Sequence, residues 1–225
     1  MLTMLATMSL NAALSWNSAT ATTPVYDDYP LLWAGHQVSF GRRAIPFRGE
    51  VVTRTDTLVL ARVKMDGSKL IISQTACAVR FGEVAGIRVH MDASALPSSR
   101  LSFSLQDDGH TFLSKSLMSW DERDIDGDGH PGMTIGVQAK VCDGDLYVAN
   151  RSRTRAEGHF DTTSFRGNAK VKVEQDILGA RGRCLSVVAR NSEEVVAGPF
   201  AYVQVAKGTT CTGLLYTGWP IDAES

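Results

Sequence analysis

The run Leu58-Val59-Leu60-Ala61-Arg62-Val63-Lys64-Met65-Asp66-Gly67-Ser68-Lys69-Leu70-Ile71-Ile72 decides the fold class. Val59, Ala61, Val63 and Met65 alternate with Leu58, Leu60, Arg62 and Lys64, and this period of two gives a strand with one face drier than the other. Asp66-Gly67 then separates two such runs. A type I′ turn needs positive φ at both central residues, which Asp-Gly supplies most readily. The segment therefore reads as a β-hairpin, with one strand over Glu50–Met65 and its return over Lys69–Val79.

Working outward, the same reading repeats. Gly86–Met91 is a short strand, and Leu101, Phe103 and Leu105 alternate with Ser102, Ser104 and Gln106. Thr111–Trp120 follows the turn Asp107-Asp108-Gly109. Ile135, Val137, Ala139 and Val141 alternate with Gly136, Gln138 and Lys140 within Met133–Val141, and Asp143-Gly144 makes a second tight turn before a return over Leu146–Thr154. Val171 and Val173 mark a further strand, and Cys184–Arg190, Phe200–Ala206 and Thr210–Tyr216 read as three more. Only Asp176–Ala180 hints at a helical turn, curtailed by Gly179 and Gly182. About ten short strands at even spacing, joined by glycine-rich turns, predict an all-β domain. The expected architecture is an antiparallel β-barrel, with a β-sandwich as the alternative; closure into a barrel removes exposed strand edges. The familiar form of such a barrel is lipocalin-like, although Trp33 precedes Gly35 here, so the Gly-x-Trp motif of lipocalins is absent. Lys, Arg, Gln and Ser at outward positions argue against a membrane-spanning barrel.

Upstream of the hairpin, Thr22–Pro46 is broken by Pro24, Pro30, Gly35, Gly41 and Pro46 and carries Tyr26, Tyr29 and Trp33, which suggests an irregular strap over one end of the barrel. Met1–Ala21 contains no charged side chain, is apolar over Met1–Leu14, and ends in Ala19-Thr20-Ala21, a small-x-small cleavage pattern. Residues 1–21 are expected to be a signal peptide and residues 22–225 a single secreted or periplasmic domain, with no transmembrane segment in the mature chain. The positive n-region of such signals is missing, the first basic residue being Arg42; a start codon assigned too far downstream accounts for that. A formal net charge of −1 and the lack of a basic stripe give no reason to expect nucleic acid as a partner.

Cys77, Cys142, Cys184 and Cys211 are even in number and show no C-x-x-C spacing. In an exported chain they read as two disulfides with three connectivities open. The expected pairing is Cys184–Cys211 with Cys77–Cys142.

The segment Asp121-Glu122-Arg123-Asp124-Ile125-Asp126-Gly127-Asp128-Gly129-His130-Pro131-Gly132 packs five carboxylates and three glycines into twelve residues. Residues 124–129 resemble the first half of the D-x-D-x-D-G loop of EF-hand, dockerin and thrombospondin type 3 calcium sites. Hard cations such as calcium take six to eight oxygens, and carboxylates at alternate positions wrap one ion when a glycine permits a sharp turn. The resemblance implies Asp124, Asp126 and Asp128 as ligands, with the carbonyl of His130, and with Asp121, Glu122, water or a distant loop completing the set. The second half departs from the pattern: Ile135 stands where a bidentate Glu belongs, so the implied affinity is weak. The same residues are also good turn formers.

His36, His90, His110, His130 and His159 show no metal-ligand spacing, and no nucleophile elbow, P-loop or dinucleotide fingerprint is present. Arg151, Arg153 and Arg155 fall on one strand face, and Trp219-Pro220 is expected to close the barrel end. Three functional readings follow. The first is a non-enzymatic barrel holding a small apolar or amphipathic ligand against Val59, Val63, Phe103, Ile135, Val137 and Val148. The second is a calcium-stabilised structural or adhesion protein without a pocket. The third is a carbohydrate-active enzyme with two carboxyls near Trp120, which requires them to face one cleft ~5–10 Å apart.

Overall fold

A computed structural model describes residues 31–45, 49–140, 142–161, 163–182 and 184–225. The expected leader, residues 1–21, and Tyr26 and Tyr29 of the expected strap lie outside the described residues. The strands are β1 (Leu31–Ile45), β2 (Gly49–Asp66), β3 (Lys69–Phe81), β4 (Arg88–Met91), β5 (Ser99–Leu105), β6 (Thr111–Trp120), β7 (Met133–Gln138), β8 (Gly144–Phe160), β9 (Ser164–Arg181) and β10 (Ser192–Gln204). Two short helices, α1 (Leu185–Val188) and α2 (Cys211–Thr217), flank β10.

All ten strands belong to one antiparallel sheet in the order β4-β7-β8-β6-β5-β3-β2-β1-β10-β9, and an additional β8–β9 pairing closes eight of them into a barrel-like ring. The central hairpin forms as its sequence dictates: Asp66 pairs with Lys69 across a turn in which Gly67 has φ 60°. Following the strand register once around the ring, from Leu70 through Phe103, Ser114, Ala156, Ala169 and Gly198, then across the β10–β1 register to Ser39 and Thr55, returns to β3 at Phe81 rather than at Leu70. That stagger is what strands tilted to the axis of a closed sheet require.

One end of the interior is filled by aromatic rings. Trp33, Phe103, Phe112, Phe165, Phe200 and Tyr202 form a cluster with Leu70, Ile72, Val59 and Val63. Phe103 and Phe165 meet edge to face at 4.9 Å, the arrangement their quadrupoles favour. Room for Tyr202 comes from Gly35, where an added Cβ would lie 2.4 Å from the tyrosine ring.

Four expectations are corrected. The strap gives way over Leu31–Ile45 to a full strand, β1, which pairs with β2 and β10; Gly35 and Gly41 act as close-approach sites within it rather than as breakers. Asp176–Ala180 continues β9, held by cross-strand bonds to β8. Cys184–Arg190 and Thr210–Tyr216, read as strands, contain helices α1 and α2 instead. Thr210 caps α2 by accepting the Gly213 amide and Gly218 ends it with φ 106°, so capping chemistry outweighs alternation over so short a run.

The disulfides are Cys77–Cys211 and Cys142–Cys184, not the expected pairing. Cys77 is the extra residue of a β-bulge between the pairs Leu58–Ala78 and Val59–Ala76, and it bonds to the first residue of α2. Cys142 lies in the β7–β8 connection, beside the segment that leaves β9. There the Cys142 amide donates to the Ala139 carbonyl and Asp143 accepts the Ala139 amide, so Asp143-Gly144 is not the turn centre.

Candidate metal centre

β6 and β7 run along the same edge of β8. Trp120 pairs with Asn150 and Met133 with Val148, so β8 advances two residues while the facing chain spends residues 121–132 on an outward loop. The base is pinched by Ile125 N–H to the Gly132 carbonyl at 3.1 Å and by Gly132 N–H shared between the carbonyls of Glu122 and Arg123 at 3.2 Å. Gly127, Gly129 and Gly132 all have positive φ, which lets the loop fold back tightly enough to turn alternate carboxylates toward one point.

Asp124, Asp126 and Asp128 are brought together there, each offering an oxygen within 4.8 Å of the others. Asp124 accepts the amides of Gly127 (2.7 Å) and Gly129 (2.9 Å). Asp128 accepts the His130 amide and the Thr134 hydroxyl at 2.9 and 2.6 Å. One oxygen of Asp126 accepts the Thr134 amide at 2.8 Å, while the other is buried with no partner among the described residues. The Gly129 amide holds the Asp124 carboxyl below its ordinary pKa, and the Thr134 hydroxyl does the same for Asp128. Asp124 and Asp128 are therefore held as anions, and hydrogen-bonded oxygens keep lone pairs free for a cation.

Asp121 stands apart: its carboxylate is engaged by the Arg123 guanidinium at 2.9 Å. The His130 imidazole stacks on Tyr147 at 4.2 Å and 15°. Thr134 escaped the sequence reading, although it anchors two of the three carboxylates. A threonine at the first turn of a strand is ordinary β composition, and nothing in its spacing marks it.

Comparison with protein-family models, curated proteins and solved structures finds no match to this chain.

The six residues expected to line an apolar pocket do not share one cluster: Val59, Val63 and Phe103 belong to the packed aromatic end, while Ile135, Val137 and Val148 lie on β7 and β8. Arg151, Arg153 and Arg155 are exposed on one face of β8, as the alternation implies, and Arg153 pairs with Glu174 at 2.7 Å. Trp219 does not close the end of the ring. Its indole donates to the Gly35 carbonyl, and the segment after it lies on the outer face of β1, where Ala223 packs with Val38 and Ala201.

There His36 accepts the Ala223 amide at Nδ1 (3.1 Å), so its Nε2–H donates to Asp56 at 3.0 Å. Arg54 holds Asp56 through two 2.8 Å bonds and reaches Glu224 as well. The guanidinium keeps the Asp56 carboxyl below its ordinary range. With both nitrogens engaged, the imidazole staples the C-terminal segment to the wall. No helix among the described residues is long and apolar enough to cross a membrane.

Proposed function

We propose that this is an exported, non-catalytic β-ring protein stabilised by calcium bound in the 121–132 loop. The observation that carries the reading is the Asp124, Asp126 and Asp128 cluster, with an Asp126 oxygen buried and unpartnered at its centre. Carboxylates at such spacing repel one another when ionised, and a divalent cation offsets that repulsion while supplying the missing partner. An all-oxygen donor set, which the loop resemblance would extend by the His130 carbonyl, suits calcium rather than zinc or copper. Bound there, the ion clasps the ends of β6 and β7 against β8. Two disulfides suit an oxidising compartment, where millimolar calcium is also available.

The test is a thermal melt of the oxidised protein with calcium and with excess EDTA. For a Kd of roughly 10⁻⁴–10⁻³ M, about 10 mM calcium stabilises the native state by about 1.4–2.7 kcal/mol. Asp126→Asn should abolish the shift, and superimposable melts with calcium and EDTA in the unsubstituted protein would refute the reading.

A further inference from the structure

The outer wall over β6, β8, β9 and β10 concentrates positive charge that no single segment of the sequence displays. Ala156 and Ala169 belong to the core cluster, so their neighbours along β8 and β9 point outward. Register then sets the outward side chains in four rows. The first is Leu113, Glu157, Asn168 and Pro199, and the second is Lys115, Arg155, Lys170 and Ala197. The third is Leu117, Arg153, Lys172 and Val195, and the fourth is Ser119, Arg151, Glu174 and Glu193.

Six cations therefore share this wall with three carboxylates, in a chain whose formal net charge is −1. The carboxylates answer only the third row. Glu174 meets Arg153 at 2.7 Å and Lys172 at 3.3 Å, and Glu193 meets Lys172 at 2.9 Å. Lys115, Arg155, Lys170 and Arg151 have no ion pair among the described residues, and neither has Glu157.

The second row works against the fold. Lys115, Arg155 and Lys170 stand directly opposite one another on strands ~4.8 Å apart, where like charges destabilise a sheet. Nor do these cations guard a sheet edge, the common use of charge on strands. At these positions β8 is paired to β6 and β9, and β9 to β8 and β10. Apolar side chains flank the charges: Leu113 and Leu117 bracket Lys115 on β6, and Val195, 50% exposed, faces Lys172 from β10.

We propose that this wall docks on a bilayer surface bearing anionic phospholipid headgroups. Guanidinium and ammonium groups take phosphate oxygens in charge-assisted hydrogen bonds, and a negative leaflet draws such clusters to it. The headgroups supply the counter-charge that the second row lacks. Leu113, Leu117 and Val195 enter the interfacial layer beside them, while the cations hold the contact at headgroup level, short of insertion. A soluble polyanion would meet the cations and leave those apolar side chains in water. The wall uses no residue of the 121–132 loop, so the inference stands apart from calcium binding there.

The test is vesicle flotation of the full oxidised chain in EDTA, which removes calcium from loop and lipid alike. Vesicles of phosphatidylcholine should leave the protein in solution. Vesicles that also contain phosphatidylglycerol should carry it up, less so as salt rises. Affinity for them should fall at least about tenfold when Arg155→Glu and Lys170→Glu are combined, and at least about twofold in Leu117→Ser. Lys140→Glu, a reversal on the β7–β8 connection, should leave it nearly unchanged. If the double reversal loses the native near-UV circular dichroism, Lys115→Gln with Lys170→Gln, which only relieves repulsion, decides in its place. Equal flotation with both compositions, no flotation with either, or undiminished binding of the charge variants overturns the proposal. So does binding to dextran sulfate as tight as to anionic vesicles with Leu117→Ser affecting neither, the behaviour of a soluble-polyanion site.

Discussion

The aromatic end of the ring and its hydroxyl-lined end share strands, register and alternation, and they differ only in what stands at the inward positions. At one end, Trp33, Phe103, Phe112, Phe165, Phe200 and Tyr202 interdigitate and are buried, with partly buried Leu31, Met65, Leu105 and Phe160 packed against them. At the other, half-buried Ser116, Thr154, Thr57, Gln37 and Gln74 stand inward on the same strands beside Met118, Val171 and Val196, and buried Asn150 and Ser152 are bonded to each other. One filled end fixes the stagger, and the other is free to carry different chemistry.

The largest effect that sharpens this contrast is Phe103→Ala. It opens a cavity against Phe165 and Phe200 and should cost about 3–5 kcal/mol in chemical denaturation. Thr154→Ala, on the same inward face but half-buried among polar neighbours, should cost under about 1 kcal/mol. Equal costs would mean that both ends are packed alike.

Next in size are the disulfides. Cys77–Cys211 spans 134 residues and Cys142–Cys184 spans 42. Removing either by paired Ser substitution should cost about 2–4 kcal/mol, and the longer one about 1 kcal/mol more by loop entropy. Equal losses in equilibrium unfolding would show that native-state contacts, not unfolded-chain entropy, set the value.

The smallest effect compares turns at the two ends. Asp108, in the β5–β6 turn at the aromatic end, accepts the Thr111 hydroxyl and the amides of Thr111 and His110, which bring its pKa down to about 2. It is satisfied by the chain itself, unlike Asp126. Because its folded pKa lies below the unfolded value of 3.8, its contribution to stability is present above that value and is lost as pH falls through about 2. A carboxyl-carbon NMR titration should show this midpoint, and Thr111→Val should move it back toward 3.8. An unmoved midpoint would show that the hydroxyl is not the main cause.

Much of the fold was legible in the sequence. The Asp66-Gly67 hairpin, the all-β class and the positions of most strands from β2 to β8 follow from alternation and turn chemistry, while β1 is hidden among glycines and two short helices read as strands. What alternation cannot say is which face turns inward. On β6 the serines Ser114 and Ser116 face the interior while Leu113 and Leu117 stand outside, 37% and 58% exposed, which inverts the usual rule of polar outside and apolar inside. The two ends of the ring were hidden for that reason. The disulfide pairing was out of reach because it depends on a bulge at Cys77 that no local signal announces. The metal candidate was half legible: D-x-D-x-D names the three carboxylates, but their anchoring by Thr134 arises only when β7 resumes the edge that β6 left.

Cys77 and Cys211 lie on opposite sides of the acidic loop, so the backbone between them and the disulfide form one covalent circuit through residues 121–132. Cutting the most exposed segment of that circuit breaks continuity of the chain without releasing a fragment. The severed molecule keeps its mass until a reductant arrives. Its tolerance of proteolysis is thus set by redox conditions rather than by the integrity of its backbone.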